Sequence, residues 1–101
     1  MSYRVKLHAA EDATPQQVQA AEQRFRAALD ASLGDAALVW PVYRTYMKLV
    51  ATYGESPAED VLSPEELEIF TQWQAAESAA MTAAIGPDRY MGDAQFDIHP
   101  A

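Results

Sequence analysis

Near the start of the chain, apolar Tyr3, Val5 and Leu7 are interleaved with polar Arg4, Lys6 and His8. A period of two puts each set on its own face of a strand, so residues 3–9 are expected to form a β-strand with one buried side. The alternation returns at the other end, where Phe96 and Ile98 stand between Gln95, Asp97 and His99. A second strand is expected there, with Gly92 and Asp93 turning the chain into it and Pro100 ending its pairing.

Between these segments the period lengthens to three and four. Thr14, Pro15 and Gln17 form a helix-start signal: a capping hydroxyl, a proline whose fixed φ suits the first turn, and a side chain that completes a capping box. Val18, Ala21, Phe25, Ala28, Leu29 and Leu33 follow on one face, with Glu22, Arg26 and Asp30 four apart on another, and Gly34 supplies a left-handed stop. A second helix places Val39, Val42, Tyr43, Tyr46, Leu49, Val50 and Tyr53 on one broad face, opposite Arg44, Lys48 and Thr52, and ends at Gly54. An interior proline removes a backbone donor, so this helix is expected to begin at or just before Pro41.

The acidic stretch "GESPAEDVLS" (54–63) reads as a connection with no element of its own. The third helix is the most clearly announced: Ser63 as cap, Pro64 next, Glu66 closing a capping box, and Leu62 placed to staple against Leu67. Its stripe runs Leu67, Phe70, Trp73, Ala76, Ala80, Ala84, narrowing to small residues that admit a close helix neighbour; Gly86 and Pro87 stop it.

The implied fold is α+β, one domain over residues 1–101 in the order β-α-α-α-β, with a three-helix layer on one face of a small two-stranded terminal sheet. The alternative is a mostly α three-helix bundle with extended termini. If each helix reverses the chain, the strands run parallel, Lys6 stands beside Asp97 and His8 beside His99, and Asp97 answers Lys6 or Arg4 across the sheet. Two strands leave free edges, which favours a homodimer formed through an edge.

Charge sharpens this picture. The net charge is −8, and it is uneven: residues 1–48 carry six bases and five acids, whereas residues 49–101 carry Arg89 alone against ten acids. That field disfavours nucleic acid and anionic membrane surfaces and suits a basic protein partner. The chain has no cysteine, hence no disulfide, thiolate metal site or cysteine nucleophile. No stretch is apolar enough for a membrane span or a signal peptide, so a cytoplasmic location is expected.

Familiar chemistries find little support. Glycines occur singly, which gives no phosphate cradle, and no serine sits in a nucleophile elbow. A metal site from His8, His99 and Asp93 depends on the parallel register and lacks any helical histidine pair, so no metal and no cofactor is expected. Glu65, Glu66, Glu68 and Glu77 have no Lys or Arg between residues 49 and 88 to pair with; Glu77, close to the apolar stripe, is expected to meet Arg44 or Lys48.

Two functions follow. The favoured one is a non-enzymatic interaction domain, of adaptor, inhibitor or immunity type, presenting Glu55, Glu59, Asp60, Glu65, Glu66 and Glu68 to a basic protein surface. The alternative is a small-molecule binder or simple acid/base enzyme with a pocket lined by Tyr43, Tyr46 and Tyr53, Arg44 or Lys48 anchoring an anion and a nearby Glu acting as base.

Overall fold

The computed structural model describes residues 3–8, 13–55, 57, 59–86 and 95–100, without the side chain of Glu59. Strand β1 (Tyr3–His8) leads to helices α1 (Pro15–Leu33) and α2 (Ala36–Tyr53), a single 3-10 turn (Glu59–Val61), helix α3 (Pro64–Ile85) and strand β2 (Gln95–Pro100). The order is β-α-α-α-β, an α+β arrangement. The expected turn at Pro87, Gly92 and Asp93 lies outside the described residues.

Both capping boxes form. Gln17 N–H donates to Thr14 Oγ1 at 3.2 Å and Thr14 N–H to Gln17 Oε1 at 2.8 Å; the same reciprocal pair joins Ser63 and Glu66 at 3.2 and 2.9 Å. Gly34 takes a φ of 84° and Gly54 one of 88°, left-handed values that any side chain would strain. Gly86 stays helical, its N–H closing on the Thr82 carbonyl.

Helix α2 starts earlier than its proline suggests. Asp35 caps it by accepting from Ala37 N–H at 2.9 Å, and Pro41 sits inside the helix. The donor that Pro41 lacks would have met the Ala37 carbonyl, and Ala37 is exposed, so water can serve that oxygen. The connection after α2 likewise departs from expectation in holding the 3-10 turn, which leads into buried Leu62.

The strands pair antiparallel, not parallel: Tyr3 faces Pro100, Val5 faces Ile98, Lys6 faces Asp97, Leu7 faces Phe96 and His8 faces Gln95. Either direction puts the same apolar residues on the helix side, so alternation alone cannot choose between them. Nor are the helices three equal neighbours: α1 lies chiefly against α3, while α2 touches both less. Ala76, Ala80 and Ala84 are all buried, the small-residue stripe that lets α3 approach closely, and Arg24 of α1 donates to the Ala84 carbonyl at 2.8 Å.

The main core gathers Tyr3, Leu7 and Ile98 from the sheet, Ala21, Phe25, Leu29 and Leu33 from α1, Val39 from α2 and Trp73 from α3. Phe25 stacks on Phe96 with centroids 4.1 Å apart. A smaller cluster of Leu49, Leu62 and Phe70, with Leu67 against it, holds the start of α3, which places the Leu62–Leu67 staple.

The Glu22–Arg26–Asp30 row of α1 is spent on β1. Leu7 N–H donates to Glu22 Oε2 at 2.9 Å, Tyr3 Oη donates to Asp30 Oδ1 at 2.6 Å, and the Arg26 guanidinium lies 4.8 Å from the Tyr3 ring centroid. Burial, then the Asp30 bond and charge, push the Tyr3 phenol well above its ordinary value. Since Leu7 N–H points away from β2, antiparallel geometry makes Leu7–Phe96 a non-hydrogen-bonded pair, and Val5–Ile98 and Tyr3–Pro100 are the same. Pro100 therefore loses no ladder bond.

Candidate partner-binding surface and groove

The acidic residues singled out from sequence occupy one continuous stretch from the end of α2 to the first turns of α3. Glu55, Asp60, Glu65 and Glu68 are exposed, and none has an ion-pair partner among the described residues. Glu66 is half-buried and committed to its capping box. Glu59 lies in the 3-10 turn. Within the stretch Val61 is 48% exposed, a large apolar side chain set among carboxylates. Glu65 and Glu66 also sit where the α3 N-terminal dipole favours negative charge.

Beside this stretch a groove of about 340 Å³ opens between β2, α2 and α3. Tyr43, Tyr46, Met47 and Val50 form one wall, Glu77 and Met81 another, and residues 95–98 the third, with Phe25 at its base and Glu55 at the acidic end. The two tyrosines also build the α2–α3 contact: Tyr43 stands 4.9 Å from Trp73 and Tyr46 5.0 Å from Phe70, centroid to centroid. They fill the core with their rings and edge the groove together.

Of the residues expected to make a ligand pocket, Tyr43 and Tyr46 line this groove; Tyr53, Arg44 and Lys48 do not. Arg44 and Lys48 are exposed, and among the described residues the charged side chains lining the groove are the carboxylates of Glu55, Glu77 and Asp97. Glu77 accepts from Trp73 Nε1 at 2.8 Å instead of meeting Arg44 or Lys48. Burial raises the Tyr43 phenol, and the charges of Glu77 and Asp97 raise it further. Tyr46 is raised by burial, against a lowering contact from Gln74, with Glu77 and Glu55 adding to the rise. Glu77 thus acts on both hydroxyls, with Asp97 adding at Tyr43 and Glu55 at Tyr46.

Asp97 pairs with His8, whose Nε2 lies 2.7 Å from Oδ2, rather than with Lys6 or Arg4. The antiparallel register sets His99 opposite Arg4 and His8 opposite Gln95, which spaces the histidines by roughly four strand residues, on the order of 13 Å. Asp93 lies outside the described residues, among which no group of three His, Asp or Glu side chains is arranged to hold a metal ion.

Sequence reading missed Phe96, Asp97 and Met81 as groove residues because they meet Tyr43 and Tyr46 only through the fold. Glu77 carried a signal: an acid four residues after Trp73, beside the apolar stripe, with no base nearby in sequence. No described helix is long and apolar enough to cross a membrane. No protein-family model matches the chain, nor does any curated protein or solved structure, so the functional reading rests on the chemistry of this surface.

Proposed function

We propose that the chain is a non-enzymatic interaction domain whose acidic surface takes a basic protein partner, in an adaptor, inhibitor or immunity-type role. The observation that carries this reading is the run of Glu55, Asp60, Glu65 and Glu68, exposed and without ion-pair partners among the described residues. Carboxylates not neutralised by a described base keep their field for an incoming cationic surface, which steers encounter and selects against acidic competitors. Exposed Val61 gives that surface an apolar contact at its centre.

The groove bears on the alternative function. A ligand held there would be a cation, because the expected anion anchors Arg44 and Lys48 stand elsewhere and carboxylates line the site. Of the free sheet edges from which a homodimer was expected, the outer edge of β1 has its Leu7 N–H already taken by Glu22. A cytoplasmic, soluble chain suits a protein partner of this kind.

The test is capture of partners from lysate with identification by mass spectrometry, comparing the native chain with the variant Glu55→Lys, Asp60→Lys, Glu65→Lys, Glu68→Lys. A basic protein released by raised salt and lost from the variant, with the melting temperature kept, is the expected result. A partner retained equally by both chains would overturn the reading. Glu66 is left native because its reversal would break the α3 cap.

A further inference from the structure

The outer edge of β2 borders the groove, and its backbone is turned toward it. With Leu7 N–H bonded to Glu22, the residues opposite β1's outward positions, Phe96 and Ile98, direct their own N–H and C=O groups away from β1. Among the described residues nothing hydrogen-bonds to those groups. Residues 95–98 line the groove along this same edge, facing Tyr43, Tyr46 and Glu77. An open strand edge, an aromatic wall and carboxylates therefore meet in one channel.

We infer that this channel binds an extended, lysine- or arginine-bearing segment of a partner protein, which adds as a third strand beside β2. Strand addition satisfies the Phe96 and Ile98 backbone groups, and the guest's alternate side chains divide between the apolar wall and the acidic rim. A guest cation reaches Glu77 and Asp97 and can lie over the Tyr43 or Tyr46 ring. The inference rests on the reading of the chain as a partner-binding domain and gives that partner's recognition element.

Charge selects this occupant over a second copy of the chain. Of the two antiparallel registers that pair five β2 residues through their outward positions, one sets Asp97 opposite Asp97 and the other puts Pro100, which has no N–H, at a hydrogen-bonding position opposite Phe96. Two chains of net charge −8 would meet there, whereas a basic segment neutralises the rim.

The probe is a fluorescein-labelled peptide, Thr-Val-Lys-Val-Lys-Val-Thr, with a control of the same sequence N-methylated at alternate residues. Anisotropy gives its affinity, and amide hydrogen exchange reads Phe96 and Ile98. Saturable binding with new protection at both amides is expected, lost with the methylated peptide and weakened roughly three- to tenfold by Glu77→Gln combined with Asp97→Asn. Equal binding of both peptides, or unprotected amides at saturation, would overturn strand addition. So would concentration-dependent protection of the two amides in the free protein, which would mark a second copy as the occupant. Should the lysate partner be lost on reversal of residues 55–68 yet bind the Glu77/Asp97 variant normally, the acidic-surface reading stands and the groove assignment falls.

Discussion

Replacing Glu22 by alanine removes the acceptor that α1 offers to β1. The carboxylate is half-buried and takes the Leu7 N–H at 2.9 Å. A hydrogen bond to a charged acceptor contributes ~1.5–3 kcal/mol when buried, and partial exposure brings this to about 1–2 kcal/mol because water can reach the freed donor. Unfolding entropy near 2.1 cal/mol/K per residue makes 1 kcal/mol equivalent to ~5 °C in a chain of this size, so Glu22→Ala should melt about 5–10 °C below the parent. Glu22→Gln retains a neutral acceptor and should lose roughly half as much. Circular dichroism melts give the magnitude; light scattering adds an independent readout, because the exposed β1 edge should promote self-association as concentration rises. Melting within 2 °C of the parent, together with an unchanged mass, would refute the claim that this contact both stabilises and shields the strand (the margin being less than half of the ~5 °C lower bound).

Two further outcomes follow from contacts already described. Ser63→Ala breaks the α3 capping box and should cost about 0.5–2 kcal/mol, lowering the melting temperature by roughly 3–10 °C, while Ser63→Asp, which can still cap, should recover most of it; an unshifted Ser63→Ala melt would contradict the box. Tyr3, Tyr43 and Tyr46 hold their protons more tightly folded than unfolded. Their contribution is therefore full below the unfolded value near 10 and is lost as pH rises through the higher folded values; absorbance at 295 nm should show a late tyrosinate phase coinciding with loss of helical ellipticity, and a single early phase with helix retained would count against it.

What could be read from the sequence was set by how local each interaction is. Thr14–Gln17 and Ser63–Glu66 are contacts over three residues, so their residue types suffice to place them. The apolar sides of both strands follow from period two, but direction does not: Phe96 and Ile98 face the core in either sense, and the antiparallel pairing is a property of the folded chain alone. Pro41 misleads because its cost depends on whether the Ala37 carbonyl is hydrated, a matter of exposure. At the groove, Tyr43 and Tyr46 were legible from helical spacing, and the same spacing already put Arg44 and Lys48 on the opposite side of α2. Asp97 and Phe96 became neighbours of those tyrosines only through chain closure across three helices.

That closure has a kinetic consequence. Pairing Tyr3 with Pro100 ties residue 3 to residue 100 and closes nearly the whole chain into one loop, at an entropic cost of ~4 kcal/mol if the intervening chain were disordered. Helix formation shortens the effective loop, so the sheet is favoured to assemble after α1 and α3 have docked and to open before they separate. The groove needs β2 as one wall and exists only in the fully closed chain. A guest strand would therefore hold shut the last-formed contact in the fold, and its apparent affinity would fall in proportion to the fraction of molecules whose sheet is open.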